Sequence, residues 1–153
     1  MIIEDSKTYA LILEKALQKG GFLPQCRVVE TIKNILYQIK TNRPDLILCD
    51  YTLPDMNGLD AYEAVKAAGE DIPFIIVSGT ISEETAIKMM EAGVHDYIMK
   101  DNTSRLIPVI RRELKNAEER AQKRKAEEEL KMLNDNLEKA VSERTKMLED
   151  TNR

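Results

Sequence analysis

Apolar residues are distributed along the first 110 or so positions in two alternating rhythms. Continuous runs occur at Met1-Ile2-Ile3, Leu46-Ile47-Leu48-Cys49, Phe74-Ile75-Ile76-Val77 and Tyr97-Ile98-Met99. A strand that is apolar on both faces is the signature of a parallel sheet covered on both sides. A more mixed run at Cys26-Arg27-Val28-Val29 suits a sheet edge. Between these runs the period changes to that of a helix. Tyr9, Ile12, Leu13, Ala16 and Leu17 follow one stripe, and Gly20-Gly21 stop it. Ile32, Ile35, Leu36 and Ile39 repeat the pattern before Pro44, while Tyr62 with Val65, and Ala86 with Met89 and Met90, predict two more helices. Five βα units joined this tightly predict an α/β fold with a doubly wound parallel sheet.

The pattern changes after Pro108. All six Gly and all five Pro lie at or before that position, and residues 111–153 hold 12 basic and 11 acidic side chains. Such a stretch reads as one uninterrupted helix, expected to start near Asn102-Thr103-Ser104, whose side chains offer capping oxygens, with Pro108 in its early turns. Ile110, Leu114, Ala117 and Ala121, then Ala126, Leu130, Leu133, Leu137, Ala140, Arg144 and Met147, recur at steps of 3 and 4. The single step of 5 marks a phase break near Gln122–Lys125 in what is otherwise a coiled-coil seam. The expected division is residues 1–117 as the globular domain and 118–153 as a coiled-coil helix continuous with its last helix.

Composition narrows the possibilities. The 153 residues carry a net charge of −4, which argues against a nucleic-acid or anionic-membrane coat. Glu127-Glu128-Glu129 directly follow the basic cluster Lys123-Arg124-Lys125 and would repel phosphates. Cys26 and Cys49 form no metal-ligand spacing, so a reduced, cytoplasmic chain is expected. No apolar run approaches the length that spans a bilayer, and no membrane insertion is expected. Met1-Ile2-Ile3 starts as strand without a lead-in, which points to a trimmed start.

The informative chemistry lies at the carboxyl ends of the strands, where open parallel sheets bind ligands. Glu4-Asp5 follow the first strand, Asp50 the third, Ser78 the fourth and Lys100 the fifth. Taken singly, each is an ordinary surface or turn residue; their joint placement on one rim is what carries the argument. Three carboxylates packed together repel unless a cation joins them, and oxygen-only ligands of this kind suit Mg²⁺. Lys100 adds a fixed positive charge, so the rim can hold a metal and a phosphoryl group together.

These residues resemble the receiver domain of two-component response regulators. The resemblance is carried by Glu4-Asp5-Ser6, by Asp50 within LILCDYTLPDMNG, by Ser78-Gly79-Thr80 and by Tyr97 to Lys100 within AGVHDYIMK. It implies a flavodoxin-like five-stranded sheet of order 2-1-3-4-5. Asp50 would accept a phosphoryl group from phosphohistidine on a partner histidine kinase or histidine phosphotransfer protein. Asp5, Asp50 and the backbone carbonyl of Thr52 would hold Mg²⁺, with Glu4 completing the acidic pocket. Ser78, Gly79 and Lys100 would bind the phosphoryl group, and Ser78 with Tyr97 would form the switch. Three positions depart from the usual pattern: Glu4 stands where Asp is commoner, Ser78 where Thr is commoner, and Asp101 where Pro usually follows the lysine. Thr52 and Thr80 place no acid or amide beside the acceptor to orient water, which predicts a long-lived aspartyl phosphate. A pseudo-receiver acting as a dimerising scaffold is the alternative. A Mg²⁺-dependent phosphohydrolase is weakened because Asp50-Tyr51-Thr52 supplies only one carboxylate.

The tail LNDNLEKAVSERTKMLEDTN resembles the signalling helix that leads into sensor histidine kinases and also precedes PAS modules. It implies a parallel homodimer through Leu130, Leu133, Leu137, Ala140 and Met147, and a parent protein with a further output domain, such as a histidine kinase. The tail contains no histidine, so the chain cannot donate phosphate to itself. His95, the only histidine, is expected to be structural.

Overall fold

The computed structural model describes residues 1–152 and divides into two compact units, Met1–Ala117 and a second starting at Glu118. In the first unit the strands are β1 (Ile2–Ile3), β2 (Val28–Val29), β3 (Ile47–Cys49), β4 (Phe74–Ser78) and β5 (Asp96–Met99). They form one all-parallel sheet in the order β2-β1-β3-β4-β5. The helices are α1 (Lys7–Lys19), α2 (Ile32–Thr41), α3 (Gly58–Ala67), α4 (Glu83–Ala92) and α5 (Leu106–Thr151).

Alternation along each strand divides the core into two layers. Ile2, Leu48, Ile75, Val77 and Ile98 pack with Ala10, Leu13 and Leu17 of α1 and with Leu106, Val109 and Ile110 of α5. Ile3, Cys49, Phe74 and Ile76 face the other way, onto Ile35 and Ile39 of α2, Ala61, Tyr62 and Val65 of α3 and Met89 of α4. With both faces covered, the strands have no polar side to show, which is why they read as unbroken apolar runs. Truncating one of the buried leucines, isoleucines or Met89 to alanine would cost about 2–5 kcal/mol.

Three helix stripes are narrower than the sequence periodicity predicts. In α1 the buried residues are Ala10, Leu13 and Leu17, whereas Ile12 is 48% exposed. In α2 Ile32 and Leu36 lie at the margin, and in α4 Met90 is half exposed. A helix on a flat sheet buries one residue of an adjacent apolar pair and leaves the other at the edge.

Caps set the helix boundaries. Ser6, Thr31 and Ser82 each accept a backbone N–H from the third residue on, and Asn57 with Asp60 forms a reciprocal capping box. At the C-terminus of α4, Gly93 has φ +100°, the left-handed geometry glycine adopts without strain. At Gly20 space is short for a different reason: a β-carbon there would press on the Ile107 side chain, because α5 passes close to the end of α1.

The expected capping of the last helix by Asn102, Thr103 and Ser104 is corrected by the structure. Thr103–Arg105 form a single 3₁₀ turn with no side-chain cap, Ser104 donates instead to Asn102 Oδ1 at 2.8 Å, and α5 begins at Leu106. The i→i+3 bond of this turn, from the Leu106 amide to Thr103 O, gives the start of the helix an acceptor that a side-chain cap would otherwise supply. The Lys100–Asp101 peptide bond is trans. His95 accepts the amide of Phe74 at Nδ1, 3.1 Å away, a structural role.

The second unit is helical through Thr151 and every residue from Ala121 to Asn152 is exposed. Leu130 (67%), Leu133 (65%), Leu137 (61%) and Met147 (70%) keep most of their surface in the single chain, and Ala140 is exposed beside them. Lys123 and Glu127 pair at 4.0 Å along the helix. Arg153, the last position of the expected tail, lies outside the described residues.

Candidate functional site

The site is built by strand register. Ile2 lies opposite Leu48 and Ile3 opposite Cys49, so the next residues on these neighbouring strands, Glu4 and Asp50, emerge side by side. The Asp50 amide donates to Ile3 O at 2.9 Å and the Glu4 amide to Val29 O at 3.2 Å, fixing both backbones at the rim. Ser78 closes β4 opposite Met99, and the Lys100 amide donates to Ser78 O at 2.8 Å.

One ligand oxygen from each of Glu4, Asp5 and Asp50 lies within 4.8 Å of the others. Glu4 and Asp50 are buried, whereas Asp5 is exposed, so the cluster opens to solvent on one side. Lys100 Nζ donates to Glu4 Oε2 at 3.3 Å and to Asp50 Oδ2 at 3.2 Å. The Ser6 amide donates to Glu4 Oε1 at 3.0 Å and the Thr52 amide reaches Asp50 Oδ1 at 3.4 Å. Burial pushes the Glu4 carboxyl above its ordinary range, aided by Asp5 and the charge of Asp50, while the Ser6 amide and Lys100 pull it back. Burial alone would lower the Lys100 ammonium; the hydrogen bond and charge of Asp50, with those of Glu4, outweigh it and hold Lys100 above its usual value. A hard divalent cation fits this donor set, because all its side-chain donors are carboxylate oxygens and one wall stays open for water.

The other expected residues lie around this centre. Ser78 is buried, its Oγ donating to Thr80 O at 3.4 Å. Gly79 is exposed, and a β-carbon there would meet nothing within 4 Å. Thr52 is exposed and bridges to Asn57. Tyr97 is partly buried and, with Ile81, Ala86, Ile87 and Met90, lines a cleft of about 540 Å³ beside α4.

A family model of the response regulator receiver domain matches residues 1–111. The chain belongs to the response regulator receiver family. The receiver is 34% identical over 99 residues to the regulatory protein LuxO of Vibrio vulnificus, covering 65% of this chain and 21% of that protein. It is also 27% identical over 135 residues to the DNA-binding transcriptional regulator NtrC of Proteus hauseri, covering 88% and 28% respectively. Among solved structures, the signal receiver domain of a LuxO repressor protein from Vibrio parahaemolyticus superposes with a TM-score of 0.71 at 25% identity, covering 79% of this chain and 92% of that one. The chain therefore spans about a quarter of the length of these curated relatives.

Two features of the receiver escaped the sequence reading. Tyr9, assigned there to the core stripe of α1, sets its ring under the Lys100 ammonium, 4.0 Å from Nζ to the ring centroid. Its position four residues after Asp5, one helical turn past the rim, was the available signal. The second is a charge cluster joining β5 to α5. Arg112 donates to Asp96 and to Glu113, and both acids are buried. A lone Asp opening a strand gives no hint of which arginine 16 residues later will reach it.

Proposed function

We propose that this receiver accepts a phosphoryl group on Asp50 from phosphohistidine of a histidine kinase or histidine phosphotransfer protein, and passes the change to its last helix in the cytoplasm. The observation that carries this reading is the position of Lys100 between the buried carboxylates of Glu4 and Asp50, with Asp5 completing an acidic cluster beside them. In the transfer, an Asp50 carboxylate oxygen attacks phosphorus. The P–O bond forms as the P–N bond breaks, and the electron pair left on the imidazole nitrogen takes up a proton. Lys100 neutralises charge on the incoming group, Ser78 Oγ and the Gly79 amide hydrogen-bond its oxygens, and the open space beside Gly79 leaves room for them. Asp5, Asp50, the Thr52 carbonyl and Glu4 would hold Mg²⁺. When bound, the ion supplies positive charge that offsets the crowding of anionic oxygens.

Movement of Ser78 toward the phosphoryl group and of Tyr97 into the space it leaves would repack the face of α4, β5 and α5. Leu130, Leu133, Leu137, Ala140 and Met147 give a seam for a parallel homodimer, and their exposure in the single chain supports a second copy as their cover. The module spans residues 1–117 and the transmitting helix begins at 118; the output domain of the parent protein would be a histidine kinase or PAS-linked unit.

The test is intact mass after incubation with acetyl phosphate and Mg²⁺, comparing wild type with Asp50→Ala. A single stable phosphoryl adduct that the variant lacks supports the acceptor. No adduct identifies a pseudo-receiver scaffold, and steady phosphate release a phosphohydrolase.

A further inference from the structure

Lys100 is held loosely by its two carboxylates. Contacts of 3.2 and 3.3 Å are long for hydrogen bonds between charged partners, which settle near 2.7–2.9 Å. A long, unbranched side chain on such contacts would sample several positions unless something else confined it. Among the described residues, the ammonium also meets the Tyr9 ring, with Nζ 4.0 Å from its centroid, within the range of a cation–π interaction. Tyr9 is itself well anchored. It sits in the first turn of α1, its amide donates to the capping Ser6 Oγ at 3.2 Å, and its ring packs against the α1–α5 layer of the core. Its hydroxyl is buried without a hydrogen-bond partner, so the contact of consequence is the ring face rather than the polar tip.

We propose that Tyr9 is a positioning residue for Lys100, its ring attracting the ammonium and holding it over the rim. This rests on the reading of Asp50 as phosphoacceptor and extends it. A hydrogen-bonding neighbour would tie one of the lysine's three donors to a single acceptor atom; a π face attracts the charge with little demand on direction, so the donors can be re-aimed. When the Asp50 carboxylate becomes an acyl phosphate, Lys100 exchanges carboxylate contacts for phosphoryl contacts, and the ring supports it in both states.

The test compares Tyr9→Leu with Tyr9→Phe, each alone and in a Lys100→Ala background, by the rate of phosphoryl adduct formation from acetyl phosphate and Mg²⁺. Tyr9→Leu is expected to slow labelling by roughly three- to tenfold, the range a cation–π contact supplies, and Tyr9→Phe to recover the rate to within about twofold. Without Lys100, Leu and Phe should label alike. An undiminished rate in Tyr9→Leu overturns the proposal, and so does the same slowing in the Lys100→Ala background, which would mean that Tyr9 acts through packing alone. The Lys100 ε-methylene proton shifts give an independent readout. They should be displaced upfield by the ring in wild type and Tyr9→Phe and relax toward ordinary lysine values in Tyr9→Leu; unchanged shifts in Tyr9→Leu would sink the idea. Should wild type take no adduct, the acceptor reading fails, while the resonance comparison still decides the ring contact.

Discussion

Replacing Arg112 with methionine should destabilise the receiver through the charges it leaves behind. The guanidinium bridges Asp96, which opens β5, and Glu113, on α5, with Nη2 2.5 Å from Asp96 Oδ2 and 3.0 Å from Glu113 Oε1. Both acids are nine-tenths buried or more, at 9% and 6% exposure. With Arg112 gone, Asp96 keeps the Tyr97 amide and a distant Arg105, 3.7 Å away, but Glu113 loses the guanidinium beside it. Removing one member of a fully buried ion pair costs about 3–5 kcal/mol. The Arg112 side chain is 53% exposed, so water can reach the freed carboxylates and the cost falls to about 2 kcal/mol. With a urea m-value of about 1–3 kcal/mol/M, the unfolding midpoint should drop by roughly 1 M. Adding Glu113→Gln to the variant should recover part of that loss, because a buried amide needs no counter-charge. A midpoint for Arg112→Met within about 0.2 M of wild type, or a double variant that falls further still, would refute the reasoning.

Other outcomes follow from single features. Gly93→Ala should cost at least about 1–2 kcal/mol, because alanine is strained at φ +100° and its β-carbon would sit 2.9 Å from the Tyr62 hydroxyl. In a Tyr62→Phe background the second part of that penalty should vanish, a non-additivity that urea titrations of the four proteins can read. Burial raises the Tyr62 phenol above its usual value. The folded state thus keeps a proton that the unfolded chain releases; the contribution is complete below the unfolded value near 10 and is lost as pH climbs through the raised folded one. Stability measured at pH 8, 10 and 11 should fall more steeply in wild type than in Tyr62→Phe, and equal slopes would contradict this. If the proposed homodimer forms through this seam, Leu133→Asp with Leu137→Asp should turn it into a monomer in sedimentation velocity, leaving the thermal transition of the receiver in place; an unchanged sedimentation coefficient would remove the seam from consideration.

The sheet and its rim were legible because parallel strands buried on both faces carry unbroken apolar runs, and the residue that ends such a run must point out of the carboxyl edge. Glu4, Asp50, Ser78 and Lys100 were therefore placed on one rim before any geometry was known, and the structure brings Glu4, Asp50 and Lys100 into contact. What stayed hidden depends on how elements cross. Periodicity assigns a helix face only to within an adjacent pair, so the stripe takes in Ile12 beside Leu13, whereas the structure leaves Ile12 half exposed and buries Ala10 with Leu13 and Leu17. Tyr9 is apolar enough to pass for core, and only the approach of α1 to the end of β5 turns its ring into a support for Lys100. The Arg112 bridge depends likewise on the path of α5, which sets out from the 3₁₀ turn at Thr103–Arg105.

The rim also has a consequence in time. Glu4 and Lys100, whose side chains meet, are separated by 96 positions, and Asp50 lies between them on a strand that must pair on both sides. No shorter stretch of chain contains the pocket, and β1, only two residues long, offers it no local scaffold. A chain still emerging from the ribosome holds Asp50 long before it holds Lys100, and until β5 is in place the contact between them cannot form. On the proposed reading of Asp50 as acceptor, the contacts that join Lys100 to Glu4 and Asp50 make readiness for phosphate coincide with completion of the sheet.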